Sequence, residues 1–186
     1  MLAGDLFVEQ NSIDGVAIRE LTPIGDKRGN LCEIHRDGWE LAPRPVQWDF
    51  ITSAANVLRG VHVHQLRFDY FVVLAGRATI GLTDARRHAP SFRQSMTIDV
   101  SSERPCVVTV PPGVAHGIYA HGALSYLYGL TNAWDGRDEE LGFRYDDPAE
   151  GLIWPSRNPV ILDRDADLPD FEAFVREFER AGGVRI

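Results

Sequence analysis

The sequence predicts a mainly β fold, an antiparallel barrel or sandwich closed by one C-terminal helix. Three observations carry this. Short apolar stretches recur at close intervals, separated by Gly, Pro and Asp turn signals. Val57–Gly76 (VLRGVHVHQLRFDYFVVLAG) reads as a strand, a turn and a second strand facing a common interior. One stretch alone has a clear helical period: Phe171, Phe174, Val175 and Phe178 fall at i, i+3, i+4 and i+7 and make one apolar face.

In chain order, Gly15–Leu21 alternates and predicts a strand. Thr22–Gly29 reads as a loop on its turn residues Pro23, Gly25 and Gly29. Asn30–Arg36 and Val46–Ser53 read as strands, with the irregular stretch Arg36–Pro45 between them. Further strand signals follow at Leu58–Val63, Tyr70–Leu74, Ala78–Thr83, Ser95–Val100, Val107–Val110 and Leu124–Leu130. Asp167 and Pro169 suit the start of the helix, and Gly182-Gly183 suits its end. The three phenylalanines of the helix are expected to pack on the barrel. No internal repeat or low-complexity tract is present.

A chain of 186 residues suits a single domain, residues 1–186, with a substantial core. Hydrophobic residues make up 44%, too many for a disordered chain. The net charge of −8 argues against a nucleic-acid partner. The start, MLAGDLFVEQ, carries Asp5 and Glu9 and no apolar run of the length a signal peptide or membrane span needs. Cys32 and Cys106 are isolated, which predicts a reduced, cytoplasmic protein without a disulfide framework and gives neither thiol a catalytic context.

The chemistry-bearing residues sit in two stretches. The first runs His62-x-His64, four residues, Asp69, six residues, Gly76; the second is Pro111-Pro112-Gly113-Val114-Ala115-His116. Side chains alternate across a strand, so His62 and His64 are expected to share a face. The Pro-Gly turn is expected to deliver His116 from another strand into the same mouth. This resembles the two-part motif of the cupin superfamily, small antiparallel β-barrels (jelly rolls) with one pocket.

From about Ile18 to Pro169 the chain also resembles one cupin family, the dTDP-4-dehydrorhamnose 3,5-epimerases. The matching blocks are Asp26-Lys27-Arg28-Gly29, Val57-Leu58-Arg59-Gly60-Val61-His62, Pro111 to Gly117, Tyr126-Leu127-Tyr128, Asp147-Pro148, Gly151-Leu152-Ile153-Trp154-Pro155 and Leu162-Asp163-Arg164-Asp165. The resemblance implies a cupin-type barrel with peripheral N-terminal strands. It also implies a homodimer that trades those strands, and a nucleotide-diphosphate sugar as substrate. The implied reaction is epimerisation at C3, C5 or both of a nucleotide-linked 4-keto-6-deoxysugar, without a cofactor. A C–H bond next to a ketone is weakly acidic. A base must therefore face one side of the sugar and a proton donor the other, and the enolate oxygen needs positive charge or donors.

By the resemblance His62 is the base, Asp165 the carboxylate that orients it, and Tyr128 the proton donor. Arg28 and Arg59 match positions that hold phosphates and sugar, where a guanidinium fork suits phosphate oxygens. Glu33, Gln47, His116, Glu140 and Arg164 also fall on binding positions. Trp48, Trp134 and Tyr145 are of a type that stacks on a base, with buried packing the default. Three positions depart from the family: Asp69 stands where a lysine is usual, with Arg67 nearby as a replacement charge, His64 where a non-histidine is usual, and Asp49 where asparagine is usual. The first two changes supply the ligand set of a metal-binding cupin: His62, His64, Asp69 and His116. That set suits one divalent transition metal such as Zn, Mn, Fe, Ni or Cu. Two alternatives therefore stand beside the epimerase: a metal-dependent cupin enzyme (a dioxygenase or a metal-assisted isomerase), and a catalytically inactive cupin that only binds a sugar nucleotide.

Overall fold

Two five-stranded antiparallel sheets face each other across one apolar core. The computed structural model describes residues 13–39, 41–134, 141–148 and 151–185. One sheet has the order β1 (Ala17–Glu20), β9 (Cys106–Val110), β6 (Asp69–Ala75), β11 (Leu124–Leu130) and β4 (Gln47–Ser53). The other has the order β12 (Leu141–Gly142), β5 (Leu58–Val63), β10 (Val114–Ala120), β7 (Arg77–Asp84) and β8 (Ser95–Ser101). Phe71, Val73, Val108 and Tyr126 from the first sheet meet Ile80, Leu82, Val100 and Ile118 from the second. Burial of such side chains is the main favourable term in folding.

The outer faces are covered too. Helix α2 (Phe171–Arg180) turns its predicted stripe of Phe171, Phe174, Val175 and Phe178 onto Leu58, Val61 and Val63 of β5. Its N-cap is Asp170, which accepts a hydrogen bond from the Ala173 amide at 2.7 Å. Gly182 and Gly183 follow its end with positive φ, as the sequence requires. Trp154 lies over Gly81 and Gly117, which are directly paired across β7 and β10. A side chain on either glycine would occupy the space of the indole.

The strand β10 is the one expected to carry His116, and it is buried along its whole length. Two expectations near the N-terminus need correction. Thr22–Gly29 is not all loop, and the strand expected over Asn30–Arg36 ends at Leu31. Instead β2 (Ile24–Asp26) and β3 (Gly29–Leu31) form a hairpin closed by Lys27 and Arg28. The Asp26 carboxylate accepts from the Arg28 amide at 2.8 Å, which fixes that turn. All six strand residues are exposed, so the hairpin has no apolar alternation to betray it. A short helix, α1 (Asp163–Ala166), is also new to the structure and carries Asp165.

One irregularity sets the site. His116 of β10 faces His62 of β5, but Ile118 faces Arg59, so two steps on β10 span three on β5. The extra residue is a bulge at Gly60 and Val61. Gly60 has φ +116°, and a Cβ there would lie 2.7 Å from the His116 carbonyl oxygen and 2.8 Å from Gly117 Cα. Only glycine fits. Replacing it with alanine is expected to cost about 1–3 kcal/mol, the price of a forbidden backbone conformation. Gly122→Ala, at an open position, is expected to stay within about 0.5 kcal/mol of wild type. Urea unfolding of both variants checks the contrast, and equal stabilities would contradict it.

Candidate active site

The bulge explains why Arg59 and His62 face the same cavity although they are three residues apart on a strand. Val61 and Val63 point outward to α2, so His62 and His64 turn inward, as alternation predicts. The cavity, about 440 Å³, lies between the sheets. His62, His116 and Arg59 reach it from one sheet, and Phe71, Tyr126 and Tyr128 from the other. The segment Val160–Asp165 forms its remaining wall. That segment is anchored by the Val57–Val160 bridge and by Leu58 donating to the Val160 carbonyl at 2.9 Å. A second hollow of about 530 Å³ lies by β1, β8 and β9, but no histidine or tyrosine lines it.

His62 and Asp165 form a pair, with Nε2 3.0 Å from Oδ1. Burial alone would raise the Asp165 carboxyl. The His62 hydrogen bond and charge, the Gly60 amide at 3.5 Å and Arg164 outweigh it and hold the group below its ordinary value. An ionised carboxylate only accepts, so His62 Nε2 is the N–H donor. The ring is therefore held in one orientation, with a quarter of its side chain exposed.

Across the cavity, Tyr128 enters from β11. Its hydroxyl lies 3.4 Å from His64 Nε2 and bonds to Asp69 and Arg67. Burial and then the Asp69 charge push its phenol well above the usual range, so it is a proton donor at neutral pH. Asp69 opens β6 and is buried beneath this hydroxyl. Burial pushes its carboxyl up to about 7, with Arg67 offsetting only part of the effect. The Arg67 Nε donates to Asp69 Oδ1 at 3.1 Å, and Nη2 lies 3.0 Å from His64 Nε2. Burial holds His64 well below the usual imidazole range and His116 down at about 3, so both are neutral.

The four-ligand metal set does not assemble among the described residues. His64, Asp69 and His116 offer ligand atoms within 4.8 Å of one another, but His62 is outside the group, turned to Asp165. The Arg67 guanidinium is also already bonded to the His64 nitrogen and to Asp69, and a cation placed among those atoms would meet its charge at close range. His64, Asp69 and His116 alone of the four remain close enough to share an ion, with Arg67 competing for two of them.

Two cations stand at the mouth. Arg59 donates to Ser53 Oγ at 3.0 Å and to the Thr52 carbonyl at 3.1 Å, and Arg164 lies 3.5 Å from Asp165. His116 lines the cavity as expected. Arg28, Glu33 and Gln47 do not. Arg28 pairs with Asp26 on the exposed hairpin, and Glu33 pairs with Arg36. Gln47 spans Asp49 and the Trp134 amide. Glu140 lies outside the described residues. Among the aromatics, Tyr145 packs with the α2 cluster, whereas Trp134 is 60% exposed and so departs from the default of burial. Both thiols are raised by burial, Cys106 to about 11, which leaves them unreactive. Arg67 is the member of the site that no motif singled out. Its one sequence signal was a charge two residues before the unusual Asp69.

The comparisons with known proteins agree with this geometry. A family model described as dTDP-4-dehydrorhamnose 3,5-epimerase matches residues 10–173. The chain is 30% identical over 176 residues to dTDP-4-dehydrorhamnose 3,5-epimerase of Salmonella typhimurium, covering 88% of this chain and 94% of that one. It is 31% identical over 149 residues to the probable low-salt glycan biosynthesis epimerase of Haloferax volcanii, covering 77% and 95%. The structure superposes with a TM-score of 0.80 and 28% identity on dTDP-6-deoxy-D-glucose-3,5-epimerase of Legionella pneumophila in complex with dTDP-4-keto-L-rhamnose, covering 86% of this chain and 89% of that one.

The Asp165 shift carries a pH signature. A carboxyl depressed below its ordinary 3.8 stabilises the fold fully above that value, and the contribution is lost as pH falls through the folded-state value. The stability difference between wild type and Asp165→Asn, from urea unfolding at stepped pH, is expected to shrink in acid. A difference that stays constant would contradict the pairing.

Proposed function

This chain belongs to the dTDP-4-dehydrorhamnose 3,5-epimerase family, and we propose that His62 and Tyr128 are its acid–base pair, acting on a nucleotide-linked 4-keto-6-deoxysugar. It is an isomerase, a sugar-nucleotide epimerase. No helix among the described residues is long and apolar enough to cross a membrane. The single observation that carries the assignment of roles is the opposition of the two groups: one cavity, an oriented histidine from one sheet, a buried phenol from the other.

His62 Nδ1 takes the proton from the carbon next to the C4 ketone, and the bonding pair moves to the carbonyl oxygen as an enolate. Asp165 stabilises the imidazolium that results. Tyr128 gives its proton to the other face of the same carbon, and the enolate closes back to the ketone with that centre inverted. The exposed edge of His62 lets its proton exchange with solvent. Arg59 and Arg164 suit the diphosphate at the mouth. The apolar wall of Ile161, Leu162 and Tyr126 suits the deoxysugar and keeps water from the enolate. All of these groups belong to the chain, and in this reading they carry both proton transfers.

The functional unit in this reading is a homodimer that trades its N-terminal strands. The exposed hairpin with Ile24 and Leu31 at 69% and 63% supports it. So does the position of Arg28, outside the cavity of its own chain. A second copy would bring an Arg28 to each mouth. Sedimentation equilibrium reads this directly, and the mass of one chain would contradict it.

Incubation in D2O with dTDP-4-keto-L-rhamnose separates the catalytic roles. His62→Ala is expected to abolish deuterium uptake next to the ketone, a loss of about 10²–10⁴. Tyr128→Phe is expected to retain uptake on the His62 face while losing inversion. Uptake by His62→Ala at the wild-type rate would sink the assignment.

A further inference from the structure

An arginine that is only 7% exposed is rare and needs a reason. Arg67 lies in the turn between β5 and β6, and its guanidinium is spent on Asp69, His64 and the Tyr128 hydroxyl. It does not line the cavity, so it reaches a substrate only through Tyr128. Among the described residues the groups bonded to that hydroxyl are the Arg67 cation and Asp69, whose carboxyl burial pushes up to about 7, while burial keeps His64 and His116 neutral. Arg67 is the cation bonded to that hydroxyl among the described residues.

We propose that Arg67 is a positioning residue for the reaction, whose fixed positive charge behind Tyr128 balances the negative charge left on the phenol oxygen when Tyr128 gives up its proton. The Tyr128 O–H bond breaks, its pair stays on oxygen, the enolate carbon supplies the pair for the new C–H bond, and Arg67 remains protonated throughout. Without Arg67, the phenolate would form in a buried space with no guanidinium bonded to it, which low dielectric makes costly. Arg67 also explains how an aspartate is tolerated next to the reacting groups: the guanidinium fork ties down one carboxylate oxygen and leaves Tyr128 oriented by the other groups of the cluster.

This inference rests on the epimerase reading, and the test separates the two. Wild type, Arg67→Met and Arg67→Lys are compared for deuterium uptake and inversion with dTDP-4-keto-L-rhamnose. Arg67→Met is expected to lose about 10²–10³ in kcat, the scale for removing one preorganised electrostatic partner. Its KM is expected to stay close to wild type, because Arg67 is absent from the cavity wall. Arg67→Lys is expected to recover a large part of the rate, since it restores the charge. If Arg67→Met does not fold by circular dichroism, Arg67→Gln replaces it as the neutral variant. A neutral variant with the wild-type kcat, or a lysine variant no faster than the neutral one, overturns the proposal while the epimerase stands. A loss confined to KM overturns it too. A wild type that exchanges no proton overturns the epimerase reading and this inference with it.

Discussion

Strict alternation would put Arg59 and His62 on opposite faces of their sheet, and the extra residue at Gly60 cancels that parity. The site depends on this one bulge. Upstream of it Arg59 faces the cavity mouth; downstream His62 and His64 face the interior while Val61 and Val63 meet the helix. The bulge needs a backbone that approaches β10 within van der Waals contact, which only glycine allows. It also aims the Gly60 amide at Asp165. Helix packing, the His62 orientation and the placement of Arg59 at the cavity mouth thus share a single geometric cause.

Electrostatics then divides the labour. Both groups of the proposed acid–base pair, His62 and Tyr128, sit near carboxylates, yet the two carboxylates have opposite environments. Asp165 gains more from His62, Gly60 and Arg164 than it loses by burial, stays ionised and fixes the His62 tautomer. Asp69 is more deeply buried and is pushed the other way, to about 7, with Arg67 as its counter-charge. One carboxylate makes a base on one side of the cavity, and the other belongs to a cluster that holds an acid on the far side. Pairs of titratable groups driven apart by environment are what proton transfer across a ring requires.

The sequence was most legible where a local pattern had a physical cause. The helical stripe of Phe171, Phe174, Val175 and Phe178 is buried as its period demands, and the His62-x-His64 alternation places both rings inward. Resemblance of separated blocks brought together His62, Asp165, Tyr128, Arg59, His116 and Arg164 from four places in the chain. Other features had no local signal. The Ile24–Leu31 hairpin is polar and exposed on both faces, so periodicity could not reveal it. The spacing that suggested a fourth metal ligand could not foresee that Asp165, about a hundred positions later, claims His62 first. Arg67 was legible only as a replacement charge near Asp69, because its three partners meet only in the folded turn.

The central claim is that protein side chains alone move the proton next to the ketone. The direct measurement is proton NMR of dTDP-4-keto-L-rhamnose, the ligand of the Legionella relative, incubated with the wild-type protein in D2O and a strong metal chelator. The account predicts loss of the ring-proton signals beside C4 at a catalytic rate with the chelator present. Signals that persist, or that disappear only after a divalent metal is restored, would contradict it.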